Sequence, residues 1–158
     1  MRPPSRRPRF RIETHLHRIV PVAPPSPETI ASVPLFAGLE RRELEQMAGS
    51  FKERHFPAGS TVAAEGQGGA GFFIITEGTG KVTVGGAERG SLGPGDYFGE
   101  IALIDEGARS ATITAETDMT CYGLTPWEFR PIVESNSRIA WKLLQALARK
   151  LRAAEQRA

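Results

Sequence analysis

The chain has 158 residues, 40% hydrophobic and 24% charged, with a single cysteine; this fits one globular domain with its own core and excludes a disordered chain or a disulfide-stapled one. The net charge of +2 hides an asymmetry: residues 1–20 hold six arginines against Glu13, which gives +5 and leaves 14 basic and 17 acidic groups, or −3, for the rest. A body of that sign excludes a surface that coats nucleic acid, and no run of eighteen apolar residues exists to span a membrane.

Residues 1–30 contain seven prolines, from Pro3 and Pro4 to Pro25 and Pro27. Proline fixes φ and removes a backbone donor, so this stretch is expected as an arm, disordered or docked on a partner. It lacks the apolar core of about 7–15 residues that a secretory signal needs. From Glu28 the texture changes. Pro27-Glu28 suits a helix start, and Leu35-Phe36 before Gly38 suits a short apolar turn. Leu44, Met47, Ala48 and Phe51 then recur at helical spacing over Leu39–Gly49. Between about 51 and 125 the period drops to two. Strands are expected at Ser60–Ala64, Phe72–Thr76, Lys81–Val84, Ala111–Ala115 and Thr120–Leu124, separated by glycine-rich turns. Helices return over about 126–156: one carries Phe129, Ile132 and Val133, and Ser135-Asn136-Ser137 supplies an N-cap for the last. That last helix bears an apolar stripe, Ala140, Leu144, Leu147, Leu151 and Ala154. It serves either to pack on the strands or as a seam with a second copy, and the stripe covers too few heptads to choose. The fold class is therefore mainly β with flanking α: an antiparallel β-roll of jelly-roll type with an N-terminal helical segment and two C-terminal helices. Residues 31–158 form its domain.

The stretch Leu92–Ala115, LGPGDYFGEIALIDEGARSATITA, carries the chemistry. Gly93-Pro94-Gly95-Asp96 makes a tight turn that delivers Tyr97-Phe98 to the core. Gly99-Glu100 then opens a short helical segment, Ile101–Ile104. The first amides of such a turn have no intrahelical partner and suit an anion, and Gly99 allows close approach. Nine residues after Glu100 stands Arg109, among small residues, a planar fork of donors for a phosphate, with the Ser110 hydroxyl beside it. Glu100 repels phosphate and suits hydroxyl donors. Together they fit a nucleotide with a free ribose hydroxyl; a structural Glu100–Arg109 salt bridge accounts for the same spacing.

This stretch resembles the phosphate-binding cassette of the cyclic nucleotide-binding domain family, which includes bacterial catabolite activators, regulatory subunits of cAMP-dependent protein kinase and cyclic nucleotide-gated channels. The likeness rests on FGEIAL followed by ARSAT at the same interval, with PLFAGLERRELEQMA and FPAGSTVAAEGQGGAGFFIITEGTGKVTV in the family's order before it. The resemblance implies that Arg109 pairs with a cyclic phosphate and that Glu100 accepts from the ribose 2′-hydroxyl. Gly99, Ile101 and Ala102 present backbone to the sugar and phosphate, and Ser110 and Ala111 donate to the ligand. Ser110 favours cAMP, with cGMP second, since relatives that prefer cGMP often carry threonine there. The last helix offers Leu147, Lys150 and Leu151 as a lid, with Ala154 where activators carry a hydroxyl. The glycine-rich loop Glu65–Gly71 lacks the aspartates common in relatives.

The function implied is a non-catalytic, cytoplasmic receptor that relays ligand state to a separate effector protein through its C-terminal helices, as a monomer or weak homodimer. The chain stops at Ala158, where activators begin a helix-turn-helix, so no DNA-binding domain is expected. The alternative is an interaction module of the same fold that no longer binds nucleotide. A metal enzyme on a β-roll has weak support, because His15 and His17 lie in the arm and His55 stands alone. No cofactor and no catalytic residue is expected, and Cys121, in an apolar strand, is expected as a buried thiol.

Overall fold

The computed structural model describes residues 23–68 and 71–157. Two four-stranded antiparallel sheets form the body. The first has the order β1 (Lys52–Phe56), β8 (Met119–Leu124), β3 (Phe72–Glu77), β6 (Tyr97–Phe98); the second has β2 (Thr61–Ala63), β7 (Thr112–Ala115), β4 (Gly80–Val84), β5 (Ala87–Leu92). Strands far apart in sequence pair directly, as in Phe72 opposite Leu124 and Gly80 opposite Ala115. This is the expected roll.

The five expected strands form within a residue or two of their bounds, while β1, β5 and β6 were not foreseen. The sequence of β1, KERHF, and the fully solvated face of β5 carry no apolar alternation. Both lie at sheet edges, where a neighbour's hydrogen bonds and not a buried face make the strand.

Among the described residues five helices flank the roll: α1 (Pro27–Ala31), α2 (Arg41–Ala48), α3 (Ala102–Asp105), α4 (Pro126–Ser135) and α5 (Ser137–Gln156), with a 3₁₀ turn at Pro34–Phe36. The Ser26 side chain caps α1, Glu40 and Glu43 form a capping box on α2, Thr125 caps α4 and Asn136 caps α5. The arm boundary expected at residue 30 falls inside α1. Ile30 is fully buried in the main core, and the Tyr122 hydroxyl donates to the Ala23 carbonyl at 2.9 Å, so residues 23–30 belong to the body. The rest of that arm lies outside the described residues.

The larger core lies between the first sheet and the helices, where Phe36, Phe51, Phe129 and Tyr97 ring Phe72 edge-on or one step removed. A smaller cluster of Ile75, Ala115, Met119 and Cys121 fills the roll itself. Strand β3 serves both: Phe72 and Ile74 face the helices, Phe73 and Ile75 the interior. A strand covered on both faces reads as a continuous apolar run, as FFII does.

The expected α5 stripe needs correction. The residues that pack on the core are Ile139, Leu143 and Ala146, while Leu144 and Leu151 of the expected stripe are 57% and 61% exposed. The two stripes are offset by one residue, about 100° around the helix, so spacing alone could not choose between them.

Candidate functional site

Gly99 adopts φ +85°, and a β-carbon there would run into both the Arg109 guanidinium and the Gly71 carbonyl oxygen. Glycine is therefore required twice over: for the left-handed turn and for the approach of three chain segments. From Gly99 the chain passes through Glu100 and Ile101 into the single turn of α3, which ends with Glu106 in the left-handed region at φ 54°. The returning limb is pinned by its backbone. The Arg109 amide donates to the Gln67 carbonyl at 2.9 Å, and the Arg109 carbonyl accepts from the Gly66 amide at 2.8 Å. Arg109 is thereby set opposite Gly99.

All seven residues expected to meet a ligand, Gly99, Glu100, Ile101, Ala102, Arg109, Ser110 and Ala111, line one cavity of about 420 Å³. The volume lies within the range of about 300–1,000 Å³ usual for small-molecule sites. Phe98, Ala63 and Ile113 supply apolar wall, and Asp105, Gly107 and Ala108 complete the rim. None of these six was foreseen as a site residue. Their only signal in the sequence was position, within the cassette or on an expected strand. A second cavity of about 350 Å³ adjoins across Ala63 and Arg109, lined also by Val62, Gln67 and Phe73.

Arg109 does not pair with Glu100: no ion pair joins them, which sets aside the structural salt bridge as an account of their spacing. One terminal nitrogen of Arg109 donates to the Gly71 carbonyl, while its Nε is the one buried side-chain nitrogen or oxygen among the described residues without a partner. A buried donor left unpaired costs about 1–3 kcal/mol, so native structures rarely tolerate one without a use. Burial pushes the guanidinium below its ordinary range, and the negative Glu100 partly offsets this. The site thus holds a desolvated cation with a free donor.

Glu100 sits in the wall with its side chain only 13% exposed. It is met from outside by Lys150 of α5, whose Nζ lies 3.0 Å from Oε1. The three expected lid residues therefore separate. Lys150 reaches the site through Glu100. Leu147 instead lines a groove between α3, α4 and α5, and Leu151 is exposed to solvent. Neither leucine lines the cassette cavity. Among the described residues no group of three histidine, cysteine or acidic side chains converges as a metal site, and His55 is engaged by Glu53 and Thr120. His15 and His17 lie outside the described residues.

The model of the family described as "Cyclic nucleotide-binding domain" matches residues 53–136, a span that contains the whole of this cavity. The chain belongs to that family. Among its relatives, a cyclic AMP receptor protein of Thermus thermophilus is 33% identical over 127 residues, covering 77% of this chain and 59% of that protein. A cAMP-dependent protein kinase regulatory subunit of Aspergillus niger is 38% identical over 92 residues, covering 57% and 22%. The domain superposes on the N-terminal domain of a transcriptional regulator from Streptomyces coelicolor with a TM-score of 0.73 at 30% identity, covering 82% of this chain and 94% of that one. The domain thus spans little more than half of the Thermus receptor, and less of the kinase subunit. No helix among the described residues is long and apolar enough to cross a membrane.

Proposed function

We propose that the domain is a non-catalytic receptor for a cyclic purine nucleotide, cAMP before cGMP, acting in the cytoplasm on a separate effector. The observation that carries this is the Arg109 guanidinium, half-buried beside Gly99, with an unpartnered Nε and, among the described residues, a single neutral carbonyl as partner. A cyclic phosphate would accept from two guanidinium nitrogens at once and draw the arginine from Gly71; charge-assisted bonds of this kind are the strong ones. Ile101 and Ala102, which open α3, line the same cavity, and Ser110 adds a hydroxyl there. Glu100 retains lone pairs beyond the one that Lys150 uses, enough for a ribose hydroxyl. Relatives named for cAMP support the choice of ligand, and the family resemblance reads serine rather than threonine at position 110 the same way.

Ligand state would reach an effector through α4 and α5, because α3 packs on α4 and Lys150 ties α5 to Glu100. A ligand moves such an equilibrium only by binding one arrangement better than another. The exposed Trp141, Leu144 and Leu151 on α5 give the helix an apolar surface to present. Light scattering would show whether a monomer or a weak homodimer presents it.

Calorimetric titration with cAMP and then cGMP tests the proposal. One ligand per chain, tighter for cAMP and lost in Arg109→Lys, is expected. Flat traces at high micromolar nucleotide on folded protein would overturn the receptor and favour an interaction module.

A further inference from the structure

We propose that the groove between the Pro34–Phe36 turn and the distal half of α5 docks an acidic peptide segment of a protein partner, and that nucleotide capture primes it. The priming step rests on the receptor function proposed above. The groove encloses about 450 Å³, with an apolar floor that includes Pro34, Leu35 and Ile101 and a rim of Arg149, Lys150 and Arg157. Among the described residues its one carboxylate is Glu100, already held by Lys150. Arg149 and Arg157 make no ion pair among the described residues. A body of net charge −3 thus concentrates three cations around one concave apolar surface. The helix dipole accounts for cations in a last turn, but Arg149 and Lys150 stand about two turns before the end of α5 at Gln156.

Charge chooses the occupant. Residues 1–20 of this chain carry +5 and are repelled by the rim. A nucleic acid would set its charged backbone against the apolar floor, and three cations fall short of the roughly 6–10 phosphate contacts of a strong binder. A peptide satisfies both parts, with carboxylates for the rim and an aliphatic side chain for the floor.

Glu100 lines both this groove and the cassette cavity, so it forms the partition between them. A ribose hydroxyl that engages Glu100 weakens its hold on Lys150, whose side chain is 59% exposed and free to turn to a partner's carboxylate. By linkage the peptide then raises nucleotide affinity by the same factor.

The test is fluorescence anisotropy on the full chain with a labelled peptide of alternating Glu and Leu, its Lys-for-Glu counterpart and a short single-stranded RNA. Saturable binding of the acidic peptide is expected. It should weaken with salt, fall at least tenfold in an Arg149→Glu, Arg157→Glu double variant of unchanged circular dichroism, and tighten several-fold with saturating cAMP in the parent but not in Lys150→Met. Failure of the acidic peptide to bind at millimolar concentration in low salt overturns docking. So does equal binding by the double variant, tighter binding of the RNA, or a dimer that the double variant dissociates. Peptide binding indifferent to cAMP, in protein that binds cAMP, overturns the priming. Absence of cAMP binding with peptide binding intact overturns the receptor function instead and leaves the docking site standing.

Discussion

Replacing Arg109 with methionine separates an arginine kept for a ligand from one kept for the fold. Among the described residues Arg109 has one side-chain hydrogen bond, to Gly71, and one buried donor, Nε, that bonds nothing. Loss of a hydrogen bond made by a charged group costs about 1.5–3 kcal/mol, and removal of an unsatisfied buried donor relieves about 1–3 kcal/mol. The two nearly cancel, so Arg109→Met should unfold within about 1 kcal/mol of the parent, a shift of roughly 2–4 °C at this chain length. An arginine in a buried ion pair would behave otherwise, since breaking such a pair costs about 3–5 kcal/mol. Binding should respond in the opposite way. Two charge-assisted bonds to a cyclic phosphate at about 1.5–3 kcal/mol each amount to about 3–6 kcal/mol, or on the order of 100- to 10,000-fold in Kd. Urea unfolding followed by circular dichroism gives the first quantity and calorimetric titration with cAMP the second. A variant destabilised by more than about 3 kcal/mol, or one that binds cAMP as the parent does, would refute the reasoning.

Gly99→Ala should both destabilise the fold, by more than about 1 kcal/mol, and abolish cAMP binding, because its β-carbon has only the Arg109 guanidinium and the Gly71 carbonyl to push against at φ +85°; urea unfolding and titration check the two effects. Glu43 is buried on α2; burial pushes its carboxyl up, but the Lys142 ammonium at 2.8 Å and the Glu40 amide more than offset this and hold it below its ordinary value. Its contribution is therefore full above the unfolded-state value near 4.3 and lost as pH falls through the lower folded value, and Glu43→Ala should cost about 3 kcal/mol at pH 7 and less in acid, measured as unfolding free energy against pH. Cys121 is fully buried and its thiol is pushed up to about 11, so a thiol reagent at pH 8 should label it only after unfolding; prompt labelling of the native protein would show that the strand opens.

Much of the site was legible before any fold was known. Gly99, Glu100 and Arg109 stand within eleven consecutive residues, and one turn and one returning limb suffice to bring them together. Local chemistry of this kind survives in sequence order. The apolar lining from Ala63 and Ile113 was not legible, because β2 and β7 pair across some fifty residues and an isolated Ala or Ile in a strand carries no mark of what it faces. Gly71 as the partner of Arg109 was equally hidden, being a backbone carbonyl that any residue could supply.

The sequence by itself determined the strand-rich body, the Asn136 cap that starts α5, and the nearness of Gly99, Glu100 and Arg109 to one another. These depend on neighbours a few residues apart, where backbone geometry alone sets the outcome. Only the tertiary structure decided that Glu100 answers to Lys150, fifty residues on, and not to Arg109, and that α5 turns Ile139, Leu143 and Ala146 inward rather than the adjacent stripe. Two stripes of similar hydrophobicity compete for one core, and the outcome depends on how the helix docks against Phe129, Leu35 and the roll. No periodicity in α5 alone contains that information.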